Sequence, residues 1–467
     1  MHQNLLSIAT PVEVRKKASP SFADNWCITR SGKQIDYRQY QQDLVYLTGL
    51  LPDDARFAFN LCQNRYTFLV ALHAIALKGQ TSLLPPNQAP GTQRTLYRQF
   101  RESYLVTDGS LPSDLPIPTV QLQLPGRYDT PVVSRLDIKV DPNHPAVMLF
   151  TSGSSGRPMP IRKRWGELQA GVALTAERFG LNDGEERHLV ATVPAQHMFG
   201  LELSIMLPLT CGVGFNSDRP FFPEDVRQTL CSTPGRNILV TTPVHLKTCL
   251  RSPLNWRECG CDMIISATAP LSLELAACAE ERFGAQVREI YGSTETGAIA
   301  SRRTVEGDAW YLYPGISVRP QIDGYIVSGG HLTTAYQISD QLQMQHDGRF
   351  KLLGRQSDML KLAGKRASLT ELNEKLNQIE GIIDGVFIDT AKPGEETNRL
   401  AAVVVAPNLT RKAVIDALAE WIDPVFLPRP LIFVASLPRN ESGKLPQQAL
   451  RALLARISHK ADPTVLN

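Results

Sequence analysis

Apolar residues over the first three quarters of the chain fall into short continuous runs separated by stretches with helical spacing. FAFNL at 57–61, AVMLF at 146–150, HLVATVP at 188–194, NILVTTP at 237–243 and MIISATAP at 263–270 read as strands buried on both faces. YTFLVALHAIAL at 66–77 reads as a helix. Strands that alternate with helices predict βα units, so the expected fold is α/β, with mostly parallel sheets layered with helices. After Arg355 the pattern shortens. Ser368-Leu369-Thr370-Glu371 has capping-box spacing, and Leu369, Leu372, Leu376 and Ile379 share one helical face. GVFID at 385–389, LAAVVV at 400–405 and LIFVASL at 431–437 read as strands, and 411–421 and 447–457 as helices. This is a small α+β module. The chain is therefore expected to divide into a large N-terminal domain, 1–355, and a small C-terminal one, 356–467.

Charge and cysteine usage narrow the partners. Lys and Arg number 49 against 46 Asp and Glu, a net charge of +3, too small for nucleic-acid binding or a polybasic membrane anchor. The longest apolar run, 68–77, contains His73 and is about half the ~20 residues a membrane helix needs. MHQNLLSIATPVEVRKK has no uninterrupted apolar core of the secretory kind. A cytoplasmic protein with small-molecule partners, no nucleic acid and no stable membrane insertion is expected. The 8 cysteines are scattered, as reduced thiols would be; Cys259-Gly-Cys261 lacks the second pair a zinc site needs.

Four segments carry chemistry. TSGSSGRP at 151–158 begins where the strand AVMLF ends, so small and hydroxyl-bearing residues sit at a sheet edge, where N–H groups can surround phosphate oxygens. Alone, the same composition fits a flexible linker equally well. It is neither a Walker loop nor a dinucleotide fingerprint, and no GxSxG elbow makes Ser154 or Ser155 a hydrolase nucleophile. YGSTET at 291–296 gathers an aromatic ring, Ser and Thr hydroxyls and Glu295, groups suited to a base, a phosphate and Mg²⁺. Asp340 can accept ribose hydroxyls beside Arg355, although a surface ion pair has the same appearance. PRNESGK at 438–444 presents Lys444 on a turn-rich loop, where an ammonium can neutralise a transferring phosphoryl group or simply be solvated.

In this order and spacing, the four segments resemble the adenylate-forming superfamily of acyl-CoA synthetases, aryl-acid ligases, luciferases and peptide-synthetase adenylation domains. The resemblance extends to FAFNLCQNRYTFLVALHAIALKGQTSLLPP, and to SATAPL at 266–271, similar to that family's adenine-side loop. It implies an ATP- and Mg²⁺-dependent acid–thiol ligase. A carboxylic acid, aryl or fatty, would become an acyl-adenylate with release of pyrophosphate. The acyl group would then pass to CoA or to the phosphopantetheine of an acyl carrier protein. By resemblance, Thr151, Ser152, Gly153, Ser154, Ser155 and Gly156 would hold the phosphates, and Ala269, Tyr291 and Gly292 the adenine side. Thr294 and Glu295 would meet phosphate and metal, and Asp340 and Arg355 the ribose. Lys444 would bridge carboxylate and α-phosphate. His197, in PAQHMFGLE at 194–202, would flank the substrate carboxylate, with Ala267, Thr268, Gly292 and Ser293 as pocket wall. The small domain would rotate near Ser357, and Gly364 would then leave room for the pantetheine arm.

Departures qualify the match. Pro158-Met159-Pro160 stands where the family's phosphate loop usually continues Pro-Lys-Gly, so one cation is missing unless Arg162 or Lys163 substitutes. Ser339 and Ser357 also differ from the family pattern. No Asp lies between Gln196 and Leu209 to pair a substrate ammonium, which argues for an acid that is not an amino acid. The altered loop and short chain resemble the ligases of bacterial aryl-polyene or xanthomonadin-type pigment clusters, which load an aryl acid such as a hydroxybenzoate onto a carrier protein. The competing reading is a catalytically idle nucleotide- or acyl-binding regulatory protein of the same fold.

Overall fold

The computed structural model describes residues 26–86, 90–109, 117–126, 138–152, 158–321, 324–355, 359–362, 365–389, 400–440, 443–446, 449–450 and 452–454. Its centre is an eleven-stranded sheet. Cys27–Ile28, Gly214–Asn216, Arg187–Ala191, Arg236–Thr241, Cys261–Ser266 and Gln286–Ser293 lie side by side and parallel. Alternate residues serve two cores. Leu239, Ile264 and Val287 pack with the helices Pro243–Arg251 and Leu273–Phe283, whereas Ile238, Val240 and Ile265 join the core that contains the helix Arg65–Leu77. A strand covered on both faces needs an apolar side chain at every position, which is why these strands are continuous runs in the sequence.

The α/β expectation holds, and the edge of the sheet adds to it. Beyond Gln286–Ser293 the sheet continues antiparallel through Gly297–Arg302, Ala309–Leu312, Phe350–Arg355 and Asp340–Met344. A second sheet of six strands runs from Thr119–Gln121 through Ser103–Thr107, Phe57–Asn60, Thr81–Leu84 and Pro145–Ser152 to Pro158–Arg164, with only the last pair antiparallel.

The two sheets meet across the helix Arg65–Leu77. Asn64 starts it: its side-chain oxygen accepts hydrogen bonds from Tyr66 N and Thr67 N. Arg65, 2% exposed, then reaches the other sheet. Its guanidinium donates to Ala191 O at 2.6 Å, to Val193 O at 3.2 Å and to Ser204 Oγ at 2.8 Å. The strand read from the sequence as 188–194 stops at Ala191: the carbonyls of Ala191 and Val193 accept from the arginine, and Pro194 has no N–H to offer a neighbour.

The C-terminal elements have a core of their own. The strands Asp384–Asp389, Leu400–Val405 and Leu431–Phe433 form one sheet. Leu372 and Leu376 of the helix Leu369–Gln378, and Val414 and Leu418 of Arg411–Ala419, pack with Phe387, Ala402 and Val404. The strand expected at 431–437 shortens to Leu431–Phe433, because its partner Leu400–Val405 runs out after the Val434 N–Val404 O bond of 2.9 Å. Among the described residues no helix is long and apolar enough to cross a membrane.

Replacing Arg65 with Met should lower unfolding stability by about 3 kcal/mol or more, since buried carbonyls lose charge-assisted partners. Urea denaturation of the two proteins measures it; an unchanged midpoint would show that water replaces the guanidinium.

Candidate active site

Parallel strands leave their carboxyl ends facing a common crevice, the usual ligand position in such sheets. Here Cys261–Ser266 runs on into Ala267 and Thr268, Gln286–Ser293 into Thr294, and Arg187–Ala191 leads through Pro194 to His197. Between them lies a cavity of ≈ 120 Å³ lined by His197, Ala267, Thr268, Gly292, Ser293 and Thr294, together with Lys444 from far along the chain. His197 occupies the N-cap position of the short helix Met198–Leu201. Thr268 has φ 79°, a left-handed conformation that costs a β-branched residue roughly 1–3 kcal/mol and that the surrounding packing must hold.

The segment between Ser293 and Gly297 is a closed turn. Thr296 Oγ1 accepts from Ser293 N at 3.0 Å, and Ser293 Oγ accepts from Thr296 N at 3.2 Å. Gly292 is required at its entry, because a Cβ there would lie 1.9 Å from Gly297 O. Three buried side chains hold the turn from beneath. Lys163, 1% exposed, donates its ammonium to Glu295 O and lies 5.2 Å from the Tyr336 ring centre. His331 Nε2–H donates to Thr296 O at 2.8 Å. Glu202 Oε1 accepts from Ala298 N at 3.3 Å.

Burial dominates the titration of all three. It lowers the pKa of Lys163, against the pull of Glu167, Glu202 and Glu295, and lowers that of His331. It raises Glu202 to about 7, although the Ala298 N–H and Lys163 favour the ionised form. The sequence left Lys163 as a possible substitute for the missing phosphate-loop cation. The structure turns it inward to a backbone carbonyl, while Met159, 54% exposed, stands on the strand Pro158–Arg164 beside the loop. Arg162 is exposed.

Tyr291 and Asp340 meet: the tyrosine hydroxyl donates to Asp340 Oδ2 at 2.8 Å, and its ring packs against Trp310 and Phe350 at 5.6 and 5.7 Å. Asp340 stands opposite Arg355 in the strand register. Glu295 is half-buried, and its carboxylate makes no hydrogen bond or ion pair among the described residues. Those residues hold no group of three His, Cys, Asp or Glu suited to a metal. A Mg²⁺ ion here would fit as one held by a single carboxylate plus phosphate oxygens and water. Thr151 and Ser152 end the strand Pro145–Ser152. Gly153, Ser154, Ser155, Gly156, Ser357 and Gly364 lie outside the described residues. Ala269 lines a different cleft, of ≈ 1270 Å³, with Lys247, Arg251, Lys375 and Arg439.

Lys444 reaches the cavity on a braced loop. Arg439 makes a two-pronged ion pair with Asp384 at 2.7 Å on each prong and donates to Gly443 O at 3.0 Å. Asn440 Oδ1 accepts from Lys444 N at 2.8 Å. Sequence reasoning missed Glu202, a cavity-lining residue, and the apolar wall of Leu84, Phe150, Phe199 and Ile290. The signal for Glu202 was a single carboxylate inside the apolar run FGLELSIMLPL.

Residues 20–330 match the family described as AMP-binding enzyme. The chain belongs to that family. Among relatives of this AMP-binding enzyme, a 4-coumarate–CoA ligase of Rhodobacter capsulatus is 28% identical over 334 residues, 67% of this chain and 78% of the relative. A D-alanine–D-alanyl carrier protein ligase of Staphylococcus aureus is 24% identical over 368 residues, 68% of this chain and 73% of the relative. The fold matches ATP-bound MatB from Rhodopseudomonas palustris with a TM-score of 0.76 at 19% identity, over 95% of this chain and 97% of that one. It matches the Bacillus subtilis o-succinylbenzoate CoA synthetase MenE, in complex with its acyl-adenylate intermediate, at 0.77 and 18%, over 91% and 94% of the two chains.

The raised pKa of Glu202 has a sign that can be checked. Between the ordinary carboxylate range and about pH 7 the unfolded chain releases this proton and the folded AMP-binding enzyme keeps it, so stability falls as pH rises through that window. Glu202→Gln removes the loss. The variant's melting temperature relative to wild type should therefore be higher at pH 8 than at pH 5, by the equivalent of on the order of 2–3 kcal/mol; a pH-independent difference would reject the shift.

Proposed function

We propose that this AMP-binding enzyme activates a carboxylic acid with ATP, forming an acyl-adenylate and releasing pyrophosphate, and then transfers the acyl group to a thiol of CoA or of a phosphopantetheinylated carrier protein. The observation that carries the reading is the cavity at the strand ends. There Lys444 from the C-terminal loop lines the same space as His197 and the Ser293–Thr294 turn, so a substrate carboxylate at the mouth lies beside a cation and hydroxyl side chains. The named activities of the relatives, a CoA ligase and a carrier protein ligase, support acid–thiol ligation.

In the first step the substrate carboxylate attacks the α-phosphorus and pyrophosphate leaves. Positioning and neutralisation of developing negative charge supply the rate, because no protein nucleophile is involved. Lys444 provides the charge on the transferring group, Thr294 a hydroxyl to phosphate, and His197 a donor beside the carboxylate. The strand-end residues Thr151 and Ser152, with Gly153, Ser154, Ser155 and Gly156, hold the outer phosphates. Tyr291 packs on the adenine, and Asp340 with Arg355 holds the ribose. Mg²⁺, when bound, neutralises phosphate charge at Glu295, whose backbone Lys163 anchors. In the second step residues 356–467 rotate about Ser357 and withdraw Lys444, and Gly364 admits the pantetheine arm. The Arg439–Asp384 pair belongs wholly to that moving body, so the lysine loop travels without losing its brace.

Exchange of labelled pyrophosphate into ATP across a panel of aryl and fatty acids tests the reading, and silence with every acid would reject it. Lys444→Ala should lower exchange by about 100-fold or more while sparing thiol transfer from a supplied acyl-adenylate. Equal loss in both half-reactions would remove the lysine from its assigned step. Glu295→Gln should raise the Mg²⁺ concentration needed for half-maximal exchange; an unchanged metal dependence would take the ion away from that carboxylate.

A further inference from the structure

The cavity has an acidic floor. Exposure falls from its mouth inward: Lys444 is exposed, His197 and Thr294 are half-buried, and Glu202 is 5% exposed. The walls between are largely apolar, with Leu84, Phe150, Met198, Phe199, Ile290 and Ala298. Glu202 Oε1 is taken by Ala298 N, whereas Oε2 has no hydrogen-bond partner among the described residues. A carboxyl oxygen without a protein partner at the floor of a cavity with apolar walls is a group that a ligand can complete. The volume sets the size of that ligand. About 120 Å³ is close to the ~150 Å³ cavity that takes up benzene, so the space suits one ring and not a long acyl chain.

We propose that Glu202 recognises the end of the acid remote from its carboxylate, so that the enzyme selects compact, single-ring acids carrying a hydroxyl donor at that end. The inference rests on the ligase reading above and supplies its substrate class. The substrate carboxylate faces Lys444 and His197 at the mouth, the ring lies between Phe150, Phe199 and Ile290, and the hydroxyl donates to Glu202 Oε2. Burial holds Glu202 at a pKa of about 7, and both its protonated and ionised forms accept such a bond. Lys163 lies close enough to influence Glu202 electrostatically, and its positive charge disfavours a second cation on the floor; a hydroxyl suits the site better than an ammonium. An α-amino acid would carry its ammonium next to the carboxylate, at the mouth, away from Glu202.

A site built to bond a hydroxyl rejects the analogue that lacks it, because its own buried acceptor is then stranded. Pyrophosphate exchange with 4-hydroxybenzoate, 3-hydroxybenzoate, benzoate, hexanoate and D-alanine reads this out as a ratio of kcat/KM values. At least one hydroxybenzoate should exceed benzoate by roughly 100-fold or more in the wild type. Glu202→Gln, which keeps an acceptor oxygen, should retain most of that ratio, and Glu202→Leu should reduce it to near one or invert it. A ratio between two acids on one preparation does not depend on how much of the variant folds. Exchange that runs equally with benzoate, runs best with hexanoate or D-alanine, or keeps its hydroxyl preference in Glu202→Leu overturns the assignment of Glu202 and leaves the ligase reading standing. Exchange that is silent with every acid in the wild type overturns both.

Discussion

The site depends on keeping a turn rigid from below. Ser293, Thr294 and Gly297 of this turn line the cavity, and the backbone oxygens of the turn would be unpaired where the sheet ends. Lys163 and His331 donate to two of them, and Glu202 accepts the N–H of Ala298 that follows. Burying a lysine is expensive unless its charge is met. Glu167, Glu202 and Glu295 meet it electrostatically, and the Tyr336 ring lies beside it. Removing any member strands the others, so the cluster specifies one geometry for the turn.

That constraint links the parts of the molecule. Lys163 belongs to the strand that closes the six-stranded sheet, Glu202 to the segment after His197, and His331 to the region between Gly324–Gly329 and Leu332–Ile338. Arg65 ties the same His197 segment back to the helix between the sheets. The cavity wall is thus assembled from elements anchored to one another through buried polar groups. Among the described residues of the cavity wall, only Lys444 comes from the C-terminal elements, on a loop stiffened by Arg439 and Asp384.

Met159 shows what the departure in the phosphate loop means physically. A lysine there would add a mobile charge, and the neighbouring Lys163 does not supply one, because its ammonium is turned inward to Glu295 O.

The amino-acid order by itself determined the layered α/β architecture, since strands covered on both faces must be apolar throughout and helices between them must be periodic. It also determined the candidate motifs, because Thr151 and Ser152, Tyr291 to Thr296, Asp340 and Lys444 each sit at a strand end or in a turn that local rules make visible. Strand ends were less legible: the carbonyls of Ala191 and Val193 accept from Arg65, more than a hundred residues away. Tertiary structure alone decided that His197, Thr268, Thr294 and Lys444 share one cavity, that Lys163 faces inward, that Ala269 lines another cleft and that Glu202 forms a floor. A carboxylate inside an apolar run says only that something must pair it. The partner lies across the fold, set by packing between distant segments that no local pattern encodes.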